Sequence, residues 1–295
     1  WGYNGEDKLQ GMSEMLQKMG LTVNAYLPAA DLQTIKKAPR AALNIVRRKK
    51  WALAMEQRFG TPFLHVADMQ EWHGIEGISD LYRQIGKMLG CEDAVERVLQ
   101  EEYELVAARY QELRAEFAKH KFCLIAHGIA YLPDALRVYQ QDYGLPITKI
   151  CIIMNPSYQA ETGLDDAMMQ RFKDRIELAK KEYGCDAEIL LEPAEKALRE
   201  AAQSCDFVIC NGHPRYASLN VPVLYNLFDR SVWSYQGFVN IMEEVWQMLQ
   251  HPQLTGSTLL LSKLAYDPVF YPMREADKDS KAARELYSRV WRQRK

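Results

Sequence analysis

The 295-residue chain is notable first for what it does not contain. No CxxC pair occurs among its six cysteines, Cys91, Cys123, Cys151, Cys185, Cys205 and Cys210, so neither a disulfide framework nor a local zinc knuckle is written into it. Its spacing suits a reducing compartment, with the thiols acting as small buried apolar groups. Long apolar runs are missing as well. Stretches such as Phe207–Cys210 and Leu259–Leu261 are far too short to cross a bilayer, and no secretory n-region and h-region stands at the amino end. Large net charge is also lacking. The formal value is -2 with a pI near 6.4, which gives no global field for nucleic acid or an anionic membrane. The cytoplasm is the expected location, with neither nucleic acid nor membrane as a partner.

The familiar phosphate and hydrolase signatures are absent too. There is no GxGxxG, no Walker A loop, no GxSxG and no HExxH. Gly2-Tyr3-Asn4-Gly5 precedes a helical pattern but has the wrong spacing for a dinucleotide fingerprint. No His, Cys or carboxylate pair stands at metal-ligand spacing, so any metal site would have to be assembled from distant loops.

What is present is an ordinary globular balance, 48% hydrophobic and 26% charged, in a chain long enough for two domains. Residues 1–90 alternate helical and extended patterns. Leu9, Met12, Met15, Leu16 and Met19 form a helical stripe over Gly5–Met19, closed by Gly20. Strands are expected at Leu21–Leu27, Ala41–Val46 and Thr61–Val66, with helices from an Asp31 cap to Lys37, over Lys49–Phe59 and over Gly74–Leu89. Residues 91–120 differ. Leu99, Tyr103, Val106, Tyr110, Leu113 and Phe117 recur at 4-3-4-3-4 spacing, with no glycine or proline between them. One helix on the order of 40 Å long is expected there, tying two lobes together.

Residues 121–250 resume the alternation, with strands at Phe122–Ala126, Lys149–Met154, Ala187–Leu191, Phe207–Cys210 and Val221–Tyr225. Helices fall near Pro133–Tyr143, Leu164–Tyr183, Pro193–Ser204 and Gly237–Leu249. Cys151–Met154 and Phe207–Cys210 are unbroken apolar runs, the mark of strands covered on both faces. Residues 251–295 read as an extension whose last segment, Ala276–Lys295, is a basic amphipathic helix. The fold class expected is α/β, with two Rossmann-like parallel-sheet domains joined by a long helix.

In such sheets ligands bind beyond the carboxyl ends of the strands, where helix N-termini aim their N–H groups. That rule singles out His127-Gly128, Asn155-Pro156-Ser157-Tyr158, Asn211-Gly212-His213-Pro214-Arg215, and Asn226 with Asp229. In the first lobe it singles out Asp68 and Trp72-His73-Gly74. Each also has a plain reading: glycines as turn residues, Asn-Pro as a turn dipeptide, a lone histidine as a satisfied structural group. The residues alone define a cleft and no reaction.

Several blocks go further. Leu16–Gly20 leads into Leu21–Ala25. Ala38-Pro39-Arg40-Ala41-Ala42-Leu43-Asn44-Ile45-Val46 is followed by Ala54-Met55-Glu56-Gln57-Arg58-Phe59-Gly60-Thr61-Pro62. Gly74 precedes Leu81-Tyr82-Arg83-Gln84-Ile85. Cys205-Asp206-Phe207-Val208-Ile209-Cys210-Asn211-Gly212, Asn220-Val221-Pro222-Val223 and Tyr235-Gln236-Gly237-Phe238 come later. In this order, over about residues 1–250, they resemble nitrogenase component 1-type oxidoreductases. That family includes the nitrogenase subunits, the cofactor-assembly scaffolds and the dark-operative chlorophyll-pathway reductases.

The resemblance implies a three-domain chain paired with a homologous subunit. Such a chain holds an iron–sulfur-based cluster or a tetrapyrrole and is reduced by an ATP-dependent iron–sulfur protein. It also implies a further domain ahead of Trp1. Arg40, His127, Asn155, Gly212, His213 and Arg215 become the expected cofactor-binding residues, with His213 and Arg215 near the loop that holds the cofactor's organic acid in the family. Two departures stand out. Lys37-Ala38-Pro39 has no thiolate where the catalytic nitrogenase chain anchors its cofactor, and Asn226-Leu227 has no histidine where that chain supplies one. These losses argue against a dinitrogen reductase. They leave an assembly scaffold, a reductase with another cofactor, or a cluster-free structural relative. A two-lobe metal-chelate or small-ligand binding protein of the helical-backbone type is the alternative, since a long helix between two lobes also describes it.

Overall fold

The computed structural model describes residues 9–27, 31–66, 71–127, 132–153, 165–210, 216, 219, 221–225 and 232–252, without the side chains of His127 and Tyr225. Its centre is a five-stranded, wholly parallel sheet built from β3 (Phe122–His127), β4 (Ile147–Ile153), β5 (Glu188–Leu191), β6 (Phe207–Cys210) and β7 (Val223–Tyr225). The spatial order is β5-β4-β3-β6-β7. The chain winds outward from β3 in one direction through β4 and β5, then returns to the other side of β3 for β6 and β7. This is the doubly wound order, and it puts a reversal point between β3 and β6.

The strands form where they do because both faces are covered. β6 is buried at all four positions. One face carries Cys123, Ile125, Cys151, Val208 and Cys210 beneath α8 (Glu195–Gln203), while the other carries Phe122, Leu124, Ile150, Phe207 and Ile209 against the main core. Helices α6 (Leu132–Arg137) and α7 (Asp166–Glu182) complete the layers. Helix α6 runs directly into a π-helical turn, Val138–Asp142, so the helix expected over Pro133–Tyr143 is present with a widened last turn.

The amino-terminal region is different. It contains α1 (Gln10–Lys18), α2 (Leu32–Lys37) leading into a 3-10 turn at Ala38–Arg40, β1 (Asn44–Val46), α3 (Lys49–Phe59), β2 (Phe63–His65) and α4 (Gly74–Leu89). Among the described residues its sheet is the parallel pair β1-β2. The expectation of two Rossmann-like domains is therefore corrected: one is evident among the described residues, beside a small two-stranded sheet. Residues 21–27, read as a strand from their apolar content, join no ladder. Extended backbone becomes a strand only when a partner edge satisfies its N–H and C=O groups. Here an internal tie is the Asn24 amide donating to the Lys37 carbonyl at 2.9 Å.

The long helix α5 (Glu92–Phe117) appears nearly as expected, burying Val95, Val98, Leu99, Val106, Tyr110, Leu113 and Phe117. It packs against α4 and against α9 (Tyr235–Gln250). The three share one core with the stripe of α1, with Leu64 and Val66 next to β2, and with the inner face of the large sheet. Polar ties reinforce that contact. Tyr82 OH donates to the Trp233 carbonyl at 2.5 Å, Ser79 Oγ lies 2.7 Å from Tyr235 OH, and Arg109 forks onto Glu243 at 2.5 and 2.8 Å. No helix among the described residues is long and apolar enough to cross a membrane.

Candidate functional site

All five strands of the large sheet run the same way, so β3, β4, β6 and β7 end at one edge. His127 closes β3 and pairs in register with Ile153, the last residue of β4. Cys210 closes β6 and pairs with Tyr225, the last residue of β7. The topology thus brings the carboxyl ends of β3 and β6, the two strands flanking the reversal point, side by side. Of the residues expected there, His127 sits at the edge by its backbone. Asn155, Gly212, His213 and Arg215 lie outside the described residues, as do Gly128, Pro156, Ser157, Tyr158, Asn211, Pro214, Asn226 and Asp229. The positions bracketing residues 211–215, Cys210 and Tyr216, are both buried in the cluster under α8.

Arg40 belongs to the amino-terminal region. It ends the 3-10 turn, which is closed by Ala41 N–H donating to the Ala38 carbonyl at 3.1 Å and held from β2's side by Thr61 Oγ1 donating to the Pro39 carbonyl at 3.1 Å. The Arg40 side chain is exposed. Next to it is an apolar cavity of about 280 Å³ lined by Leu27, Ile35, Ala38, Pro39, Trp51 and Met55.

His73 proves to be a structural residue. It is fully buried, with Nε2 2.7 Å from Tyr143 OH, stacked on the Tyr143 ring and edge-on to Phe238. Desolvation, reinforced by the Arg137 guanidinium, lowers its pKa to about 3, so it is neutral at physiological pH.

Beside it stands a residue that sequence reasoning passed over, Asp142 in the π-turn. Its carboxylate accepts from Ile75 N–H at 3.1 Å and, more weakly, from Glu76 N–H at 3.5 Å, capping the N-terminus of α4 from a distant part of the chain. Arg137 Nη1 donates to the same carboxylate at 3.0 Å, and Arg137 Nη2 reaches the His73 carbonyl at 3.1 Å. Burial raises Asp142 to about 6, against the opposing pull of Arg137. Gly74 makes the approach feasible: its φ is +86°, and a Cβ there would fall 2.1 Å from Asp142 Oδ2. No local pattern announces this joint, because Asp142 and Ile75 are 67 positions apart. A polar cleft of about 340 Å³, lined by Glu71, Glu76, Gly77, Asp80, Asp134 and Arg137, opens next to it.

The cysteines are spread through the interior, five buried and Cys91 partly so. Cys123, Cys151 and Cys205 meet beneath α8, with Cys123 and Cys205 toward the amino edge of the sheet and Cys151 level with Cys210 at the end of β6. The Cys205 thiol is lowered from its ordinary range, chiefly by its hydrogen bond with Cys123, with Thr148 Oγ1 at 3.3 Å assisting. No three His, Cys, Asp or Glu among the described residues are arranged to hold a metal ion.

Comparison with known proteins complements this geometry. A family model described as nitrogenase component 1 type oxidoreductase matches residues 2–250. Among solved structures, nitrogenase Cp1 at pH 5 is similar with a TM-score of 0.58 and 18% identity, over 85% of this chain and 55% of that one. Nitrogenase Cp1 at pH 6.5 is similar with a TM-score of 0.57 and 16% identity, over 85% of this chain and 57% of that one. The chain thus spans a little over half the length of these solved chains, and at such identities the likeness is one of fold. No curated protein matches.

Proposed function

The chain belongs to the nitrogenase component 1 type oxidoreductase family, and from that premise we propose that it acts as a cofactor-holding redox subunit or cofactor-assembly scaffold. The observation that carries this reading is the reversal point between β3 and β6, the place where doubly wound sheets bind ligands. In this reading the cofactor lies against that edge and is contacted by His127, Asn155, Gly212, His213 and Arg215, with Arg40 reaching it from the amino-terminal region. The chemistry of that set is anion recognition: guanidinium forks, a glycine that lets backbone N–H groups approach, and amide and imidazole donors.

Among the described residues no thiolate or histidine set fits a resident metal cluster. An iron–sulfur-based cluster or a tetrapyrrole would be held by charge and hydrogen bonding, and the protein would supply orientation and electrostatics. A homologous subunit and an ATP-dependent iron–sulfur reductase complete the proposed assembly. The test is cofactor content in protein purified without oxygen from the full gene, by iron, acid-labile sulfide and visible absorption. His213→Ala and Arg215→Ala are expected to lose bound cofactor while keeping the wild-type circular dichroism. Wild-type content in both variants would sink the site assignment. Absence of iron and chromophore from the native protein would overturn the redox reading and favour a two-lobe small-ligand carrier.

A further inference from the structure

The amino-terminal region concentrates two features that a finished surface keeps apart. Residues 31–60 carry eight basic side chains against two acidic ones, in a chain whose net charge is -2. The same segment holds five of the large apolar side chains that remain exposed: Leu32, Ile35, Trp51 (63% exposed), Leu53 and Phe59. Helix α2 buries nothing and α3 buries only Ala52. Between them lies the apolar cavity of about 280 Å³, with Ile35, Trp51 and Met55 in its wall. An apolar hollow set among lysines and arginines is the form of an interface core with a charged rim.

The complementary surface is on the same chain. Helix α5 carries eight acidic residues against three basic ones. Its outer face is open to solvent, and in the middle of that face Leu105 is 76% exposed, the most exposed large apolar side chain among the described residues. Glu101 is one helical turn before it, Glu104 is adjacent and Glu112 is two turns beyond, all exposed. An aliphatic knob flanked by carboxylates, with Arg109 one turn beyond it paired to Glu112 at 2.7 Å, faces an apolar hollow flanked by ammonium and guanidinium groups.

We propose that the α2–α3 face is the docking surface for the outer face of α5 of a second copy of this chain, with Leu105 entering the cavity beside Trp51. Reciprocal exchange of the two contacts makes a two-fold dimer, in which each copy supplies both a knob and a hollow. Apolar burial at the centre sets the lifetime of the contact, and the surrounding charges set its partner choice and salt dependence. The proposal is separate from the sheet-edge contacts of the cofactor reading, because neither face includes the carboxyl edge of the large sheet; the two readings meet only at Arg40, next to the cavity.

Sedimentation velocity on the intact protein over a range of concentrations tests it. The wild type is expected to self-associate, with the dimer weakened about tenfold or more by Leu105→Asp and by raising the salt well above physiological strength. Lys49→Glu/Lys50→Glu and Glu101→Lys/Glu104→Lys are each expected to be monomeric. Mixed together they should associate again, because every repulsive face then meets its complement. Since all five positions are exposed, circular dichroism should be unchanged in each variant. A wild type that stays monomeric into the range of about 100 μM overturns the proposal. So does a dimer indifferent to Leu105→Asp, or a failure of the mixed variants to associate. A monomer that binds phosphatidylserine vesicles through Lys49 and Lys50 would overturn it in favour of a membrane contact.

Discussion

The two sheets of this chain are built from similar residue types and reach very different degrees of closure. Strand β6 is buried at all four of its positions, whereas β1 is only half-buried at all three of its own. The large sheet has helices on both faces, so its apolar runs are covered from each side and its ladder is continuous over five strands. The small sheet has two strands among the described residues, and helix α3 lies over it with one buried residue. A two-stranded unit is marginal by itself. What holds the amino-terminal region is the packing of α1 and α4 onto α5, α9 and the inner face of the large sheet. The contrast separates a closed core from a region whose inner surface is finished and whose outer surface, among the described residues, is bare.

The largest effect should come from striking the finished half. Phe207 is fully buried on β6 in contact with the ring of Phe122. Phe207→Ala should cost roughly 3–5 kcal/mol in urea unfolding, because the cavity it leaves is walled by strands that cannot collapse. A cost below about 1 kcal/mol would show that this sheet is less tightly closed than its burial indicates.

The joint between the halves comes next. Gly74→Ala puts a methyl group onto the Asp142 carboxylate and forces a side chain into a backbone conformation that only glycine adopts readily. A loss of about 3 kcal/mol is expected, by the same measurement. Retention of wild-type stability would mean that Asp142 can leave the α4 terminus without penalty.

The same joint gives a pH prediction whose sign follows from two opposing groups. His73 is held at about 3 against an ordinary 6.5, so the unfolded chain takes up a proton that the folded chain refuses. Its contribution to stability is present above pH 6.5 and is lost as the pH falls toward 3. Asp142 sits at about 6 against an ordinary 3.8, so the folded chain keeps a proton that the unfolded chain has released. Its contribution is present below 3.8 and is lost as the pH rises through 6. Between about pH 4 and 6 the two proton balances cancel. Asp142→Asn leaves His73 alone, so stability should fall by about 1.4 kcal/mol per unit of acidification relative to wild type. Parallel pH profiles for the two proteins would show that the two groups do not titrate as their surroundings dictate.

How much of this was legible in the sequence follows the range of the interactions involved. Helices α4 and α5 could be read almost to the residue, because a 3.6-residue stripe and a flanking Gly90 are local signals. The five strands of the large sheet could be read because four-residue apolar runs such as Phe207–Cys210 need burial on both faces. The strand expected at Leu21–Leu27 failed because strand formation depends on a partner edge, which no local pattern supplies. The edge carrying His127 was reachable through the rule about carboxyl ends, but the β3/β6 reversal requires the strand order, and that comes only from the fold. Asp142 and the role of His73 were hidden for the same reason. Their partners are about 70 positions away, and a π-turn has no sequence signature that would aim a carboxylate at a distant helix.

The smallest expected effect is the sharpest test of the comparison. Trp51 is large and aromatic, and in the carboxy-terminal sheet a residue of its size would anchor the core. On α3 it is exposed, beside a cavity and away from the shared core. Trp51→Ala, measured at a dilution where the protein is monomeric, should therefore change stability by no more than about 0.5 kcal/mol. A loss several times larger would mean that the outer face of α3 is already covered within a single copy of the chain. The bare surface would then be as finished as the sheet beneath α8, and the case for an occupant would fall with it. A negligible loss would leave an exposed tryptophan and a hollow with no role in the monomer's stability, which is the condition under which a binding partner gains the most from filling it.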